Sequence, residues 1–226
     1  MVNVIRYLQM HQNLMDIVAF VYNCFHGNKG YLQSMMLRGV SIKGVFMTKT
    51  NLVLCKSAKL HIGRRTQLHN CKITLTGENS SLFIKGTSTN INNASFTMAE
   101  KNSIITIGKS FTMQGGCITS LEGASITIGN DCMFSGDIDI ASGDHHTILD
   151  YDTRERINPS KSIIIADHVW LGAHTRVLKG SQIPKGCIIG NSSVVSGILG
   201  VKHAIYVGIP AKLKKKNIDW NRERIK

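Results

Sequence analysis

The sequence predicts an all-β chain wound as a parallel β-helix, and three observations carry that expectation. Branched aliphatic side chains recur every six residues, from Ile165 through Leu171, Val177, Ile183 and Ile189 to Val195. An α-helical stripe recurs at about 3.6 residues, so a beat of six fits a short strand plus a tight turn, repeated three times per coil. An apolar-x-Ile-Gly ending repeats at longer intervals, in Leu60-His61-Ile62-Gly63, Ile105-Thr106-Ile107-Gly108 and Ile126-Thr127-Ile128-Gly129. Looser copies stand at Leu82 to Gly86, Ile163 to Ala166 and Cys187 to Gly190. Aromatic residues make up only 6% of a chain that is 42% hydrophobic, which suits thin stacked β layers better than a bulky core.

Each element then has its own reason. Residues 1–30 read as an N-terminal helical cap, with Val4, Ile5, Leu8, Met15, Val18 and Val21 on a rough helical stripe; stacked coils need such caps at their ends. A membrane-surface or partner-docking use of that helix is the alternative. Residues 31–210 form the β-helix. Thr175, Ser181, Cys187 and Ser193 each follow an aliphatic by four positions and are small enough to let a corner close. Gly172 and Gly190 follow theirs directly, where turns ask for conformations that bulkier residues resist. Ile128, Phe134 and Ile140 keep the same phase. Residues 141–161 keep no period and are expected as a loop extruded from the rod, the usual place for function on a rigid scaffold. Ile209-Pro210 closes the last coil, and residues 211–226 are expected as a basic C-terminal helix.

Composition narrows the function classes. The 226 residues hold 27 Lys+Arg against 14 Asp+Glu, a net charge of +13 that attracts polyanions. Nucleic acid is not the expected partner, because no aromatic interleaving or reading helix accompanies the charge. The six cysteines, Cys24, Cys55, Cys71, Cys117, Cys132 and Cys187, form no CxxC pair and show no metal-ligand spacing; reduced thiols in a cytoplasmic protein are expected. The longest apolar run, Ile17 to Tyr22, is far short of the roughly 20 residues of a spanning helix. No transmembrane segment or cleaved signal is expected, although peripheral membrane contact stays open.

The unperiodic stretch reads Ala141-Ser142-Gly143-Asp144-His145-His146-Thr147-Ile148-Leu149-Asp150, then Arg154-Glu155-Arg156-Ile157-Asn158. Together with the hexads, His168-Val169-Trp170-Leu171-Gly172-Ala173, Leu178-Lys179-Gly180 and the ending Gly208-Ile209-Pro210-Ala211-Lys212, it resembles the hexapeptide-repeat acyltransferases. Within them it is most similar to bacterial polysaccharide O-acetyltransferases, those of polysialic acid capsules included. The match runs from about Ile126 to Arg222; residues 1–100 share only the repeat style. The resemblance implies the left-handed form of the β-helix, against the usual right-handed crossover. It also implies a homotrimer with active sites between subunits, acetyl-CoA as donor, a carbohydrate acceptor and no metal.

By motif phase the general base falls on His146, with His145 as its competitor and as a substrate contact. Trp170 falls on the residue lining the acceptor and thioester cleft, and Ala173 on the residue whose backbone N–H meets the thioester. Asn191 and Ser196 fall along the pantetheine arm, and Lys212 and Lys215 near the CoA phosphates. Many members carry Thr-Lys where this chain has Ser196-Gly197, so a cation near the nucleotide is missing; Lys202, Lys214 and Lys216 are candidates to replace it. Elementary chemistry agrees with the base. A sugar hydroxyl ionises far above pH 7, and an imidazole with an ordinary pKa of about 6.5 is neutral and basic enough to take its proton as the bond forms. A fixed backbone N–H then serves the developing oxyanion. Asp144 is a candidate to fix the His146 tautomer, or merely a turn residue. The other histidines, His11, His26, His61, His69, His168, His174 and His203, read as solvated or structurally bonded.

Two rivals come from other classes. A zinc-dependent β-helix hydratase needs three histidines converging from different coils, and partners for His145 and His146 are not evident. A non-catalytic solenoid that binds ice or glycan needs regular Thr-x-Thr ladders, and only isolated cases such as Thr74-Leu75-Thr76 occur.

Overall fold

The computed structural model describes residues 2–223, with side chains from Met10 onward. Val4, Ile5 and Leu8, and the last three residues of the predicted tail, lie outside the described side chains.

The aliphatic beat winds the chain into a three-faced parallel β-solenoid. The first face stacks seven strands, from Val40–Ile42 to Gln182–Ile183. The second runs from Val45–Thr48 to Ala204–Val207, and the third stacks seven strands from Asn51–Leu54 to Val194–Val195. Parallel pairing in strict register places like on like. Ile42, Ile62, Ile84, Ile107, Ile128, Ile165 and Ile183 form one inward column on the first face, all at most 5% exposed. Met47, Leu68, Ile91, Met113, Phe134, Leu171, Ile189 and Tyr206 line the second. Leu52, Ile73, Phe96, Ile118, Ile140, Val177 and Val195 line the third. The six hexad aliphatics thus fall one per face through two coils. Thr175, Ser181, Cys187 and Ser193 are fully buried at the corners, as expected. Gly172 is required by close approach: a Cβ there would stand 2.3 Å from Asn191 Oδ1 and 2.8 Å from the Asn191 backbone nitrogen.

Coils before the extruded loop are longer than the hexad predicts. Ile62, Ile84, Ile107 and Ile128 are 22, 23 and 21 positions apart, whereas Ile165 and Ile183 are 18 apart. The longer coils use mostly four-residue strands with two inward side chains, such as Leu60 and Ile62 or Ile105 and Ile107.

Both ends of the rod are closed by specific pairing. Helix α1 (Val2–Phe25) lays Ala19, Tyr22 and Asn23 against the first coil, where Tyr22 packs edge-on against Phe46 and its hydroxyl meets Thr48 Oγ1 at 3.0 Å. The strand Val45–Thr48 would otherwise expose its backbone at the edge of the sheet. Instead the buried Asn23 amide donates to the Val45 carbonyl (2.9 Å) and accepts from the Met47 N–H (2.7 Å). Asn28 continues the pattern, donating to the Met47 carbonyl and accepting from the Thr50 N–H. Two side-chain amides therefore stand in for the missing strand. The short helix α2 (Tyr31–Met35) follows at the same end.

The far end corrects one expectation. Of the expected helix over 211–226, no described residue is helical: Lys212–Lys216 is an antiparallel strand on Ala204–Val207, and 217–223 are irregular. An open sheet edge offers a full row of hydrogen bonds, which outweighs the helix propensity of lysine and leucine, and the lysines keep the new edge charged. The chain then descends the edge between the first and second faces, where Arg222 bonds the carbonyls of Ser110 (2.9 Å) and Cys132 (3.0 Å), Thr112 Oγ1 (2.7 Å) and Asp131 Oδ1 (2.9 Å).

Removing the Asn23 amide leaves two buried backbone groups unpaired. Asn23→Ala is expected to lower stability by about 1–3 kcal/mol, read as a lower urea midpoint. An unchanged midpoint would show that water or α1 itself caps the strand.

Candidate active site

The predicted loop leaves the third face after Ile138–Ala141 and rejoins the first at Ile163–Ile165, so it starts one residue later and ends one later than the sequence suggests. It folds as a small hairpin, bridged in antiparallel fashion between Leu149 and Arg156. Asn158 organises its base. Its buried amide donates to Asp144 Oδ2 and to the His146 carbonyl, both at 2.8 Å, and accepts from the Ile148 N–H at 2.7 Å.

The hairpin is latched to the coils above and below it. Lys179, at the corner of the next coil, donates to Asp144 Oδ2 and to the Asn158 carbonyl (3.2 Å). Arg156 reaches Glu122, at the corner of the preceding coil, with an N–O distance of 2.5 Å, and the second Glu122 oxygen accepts the Ser160 N–H at 2.9 Å. These bonds favour the ionised acids. Lys179 first and Asn158 second hold the Asp144 carboxyl below the ordinary carboxylate value. Arg156 and Ser160 hold that of Glu122 down to about 2.

His146 sits at the base of this hairpin, its carbonyl held by Asn158 and its side chain exposed, and His145 beside it is exposed in a left-handed turn conformation (φ 61°). Asp144 does not touch the His146 ring. Its carboxylate is engaged by Lys179 and Asn158, and among the described residues no hydrogen bond reaches that ring. Through these two bonds Asp144 anchors the loop.

Trp170 stands elsewhere, on the outer side of the second face between Met133 and Ile188. It is half-buried by the descending tail, whose Trp220 lies 6.1 Å away, centroid to centroid. Its indole Nε1 is buried with no partner among the described residues, an unmet donor. Trp220 stacks on His168 at 4.1 Å and donates from its own Nε1 to the His168 carbonyl. His168 in turn meets Asp131 Oδ2 at 2.6 Å and the Trp220 carbonyl at 2.9 Å. Burial pushes the Asp131 carboxyl up, but hydrogen bonds from Arg222 and His168 outweigh it and hold the carboxyl low.

Ala173 and Asn191 occupy the edge between the second and third faces and are bonded to each other, the Ala173 N–H donating to Asn191 Oδ1 at 3.1 Å. Ser196 is exposed on the edge between the third and first faces, one coil above Lys179. Lys212 and Lys215 are exposed on the closing strand; Lys215 is in register with Ile205, hence in line with Ile188 and Trp170 on the same face. In one chain, therefore, His146 hangs from one edge of the prism while Trp170, Ala173 and Asn191 belong to the opposite face and edge. One groove lies on the third face beside Ala173, lined by Cys117, Asp139, His174 and Arg176, and another on the second face, lined by Phe46, Gln67 and Asn90. Among the described residues no three His, Cys, Asp or Glu side chains converge as a metal site would need.

No family model matches the sequence. The chain is, however, 33% identical over 172 residues to a polysialic acid O-acetyltransferase of Neisseria meningitidis, which covers 76% of this chain and 79% of that protein. The chain belongs to the hexapeptide-repeat acetyltransferases. As a member it is an acyltransferase. This acetyltransferase is also 36% identical over 125 residues to a polysialic acid O-acetyltransferase of Escherichia coli O1:K1 / APEC, spanning 55% of its own length and 40% of that relative's. The crystal structure of the polysialic acid O-acetyltransferase OatWY superposes with a TM-score of 0.76 at 30% identity, over 83% of this chain and 88% of that one. The polySia-specific acetyltransferase NeuO shares the fold, with a TM-score of 0.60 at 24% identity over 80% and 90% of the two chains.

Asn158 and Lys179 stand inside the loop and Leu-Lys-Gly motifs, whose pattern alone assigns them no task. The acetyltransferase uses both to anchor the loop. Glu122, Asp131, Trp220 and Arg222 belong to no motif, and of their contacts only the Arg156–Glu122 charge pair has a sequence signal, an acid one coil below a basic loop.

Because both latching acids have depressed pKa values, their contribution is present above the ordinary carboxylate range and is lost only as pH falls below about 4. Hydrogen exchange of the 144–158 amides, corrected for the intrinsic rate, is expected to stay equally protected from about pH 8 to about pH 5. Lys179→Met should remove that protection at every pH, and loss of protection near pH 6 in the wild type would contradict the latch.

Proposed function

We propose that this acetyltransferase moves an acetyl group from acetyl-CoA directly to a hydroxyl of a bacterial surface carbohydrate, capsular or lipopolysaccharide-type and containing sialic acid. The observation that carries the reading is the alignment over most of both chains with a polysialic acid O-acetyltransferase. The net charge of +13 suits an acidic acceptor, since it raises the encounter rate with a polyanion.

His146 is the general base. The latch fixes the backbone on both sides of it and leaves the ring free to meet a hydroxyl. A base held in place in this way contributes about 10²–10⁴-fold. The base takes the hydroxyl proton as the oxygen attacks the thioester carbon, and returns it to the departing thiolate. The Ala173 N–H serves the charge that develops on the carbonyl oxygen, which requires the Asn191 side chain to turn aside. Trp170, on the outer side of the second face, forms the wall of the cleft. Lys215, and Lys212 beside it, continue the same face toward the CoA phosphates.

The division of these groups between opposite sides of one prism supports a site built from two copies, the loop of one meeting the second face of the next. A closed homotrimer supplies three such clefts. Exposed Ile148, Tyr151 and Ile157 on the loop fit the same contact. A cytoplasmic location fits a donor made inside the cell and six free cysteines.

Acetyl transfer to a panel of sialic, uronic and neutral saccharides, read by mass shift, tests the reading. A sialic acid polymer or its precursor is expected to be modified, and His146→Ala to lower kcat by about 10²–10⁴-fold while CoA affinity by calorimetry is kept. Wild-type turnover in that variant would remove His146 from the mechanism. Failure to acetylate any saccharide would remove the acceptor class.

A further inference from the structure

Helix α1 has two apolar sides, and the rod uses only one of them. Ala19, Tyr22 and Asn23 face the first coil. On the other side Met10, Leu14, Ile17, Val18, Val21 and Phe25 are all exposed, Ile17 at 61% and Phe25 at 81%. At 100° per residue these six fall within an arc of roughly 100° and form a continuous ridge roughly 22 Å long. The short α2 adds exposed Leu32, Met35 and Met36 at the same end of the rod. Single exposed apolar residues are ordinary, but a contiguous ridge on a helix already anchored by its opposite side marks a surface that something covers.

The charge around the ridge says what. Residues 1–72 hold ten Lys and Arg against a single acid, Asp16, and so carry most of the net charge of the chain. Asp16 is turned from the ridge and paired with Arg64 at 2.6 Å. Lys29, Arg38, Lys43 and Lys49 are exposed on the cap and first coil and make no ion pair among the described residues. A second copy docking here would bring a second cationic end against the first. A surface that is apolar below and anionic above matches both features at once. No helix of the described residues is long and apolar enough to cross a membrane, so α1 would lie in the interface and not span it.

We propose that the N-terminal end of the rod docks on an anionic lipid bilayer, with the α1 ridge sunk among the acyl chains and the basic first coil on the headgroups. The solenoid axis then holds the acetyl-transfer coils away from the lipid, beside an acceptor presented at that surface. Its failure leaves the transfer reading untouched.

Flotation of the full chain with phosphatidylcholine vesicles, with and without phosphatidylglycerol, tests the proposal. The chain is expected to float with the anionic vesicles and to stay behind with the zwitterionic ones, and raised salt should release it. Ile17→Gln with Val21→Gln should lower the partition coefficient at least about tenfold while helical circular dichroism and transfer to a soluble saccharide stay unchanged. Lys43→Glu with Lys49→Glu should lower it on anionic vesicles with the ridge intact. No flotation on anionic vesicles, or Gln variants that float like the wild type, overturns the proposal. So does a fall in particle mass of the Gln variants by light scattering, which would assign the ridge to a contact between copies.

Discussion

Register is the constraint on which everything else depends. In a parallel stack each coil hydrogen-bonds the one below it, and a slip of one residue would turn every inward isoleucine, leucine and valine to solvent. The column of seven isoleucines from Ile42 to Ile183 shows how tightly the register is held: one residue type recurs at one inward position through the whole first face. Burial of each such side chain is worth about 1.5–3 kcal/mol, and no single coil buries enough to stand alone. The ends must therefore be closed by groups that copy a strand, which Asn23 and Asn28 do with amides at one end and Lys212–Lys216 does with backbone at the other.

A rod fixed in this way gives its loop something rigid to hang from. The hairpin carrying His146 is tied by Lys179 one coil up and by Glu122 one coil down, and those two corners keep their spacing because the columns beneath them do. Asp144 belongs to this tie. The motif that suggests a carboxylate orienting the imidazole instead positions the backbone from which the imidazole projects. Trp170 is supported independently, through Trp220, His168 and the Arg222 clasp on the descending tail.

The hexads from Ile165 to Val195 were legible because each coil there is 18 residues long and gives one inward aliphatic per face. The earlier coils blur the beat by placing two inward residues on most strands and varying in length, so only the Ile-Gly endings betray them. The extruded loop was legible as a rupture of period, and its chemistry through the likeness of its motif to a family. What stayed hidden were most of the side-chain bonds between distant positions: Lys179 reaches back 35 positions to Asp144, and Arg222 reaches back 91 to Asp131. The C-terminal strand was hidden for a related reason. A run of lysines reads as helix in isolation, and only the unpaired edge of Ala204–Val207 makes it a strand.

The division of the site between two prisms is the central claim, and mixing subunits tests it most directly. His146→Ala and Trp170→Ala chains, each first shown to be deficient in transfer alone, are unfolded, mixed in equal amounts and refolded together. If the base and the tryptophan come from neighbouring copies, about a quarter of the interfaces regain both and transfer returns to that level. If both residues served one chain's own site, assemblies shown by mass to be mixed would stay as inactive as their parents.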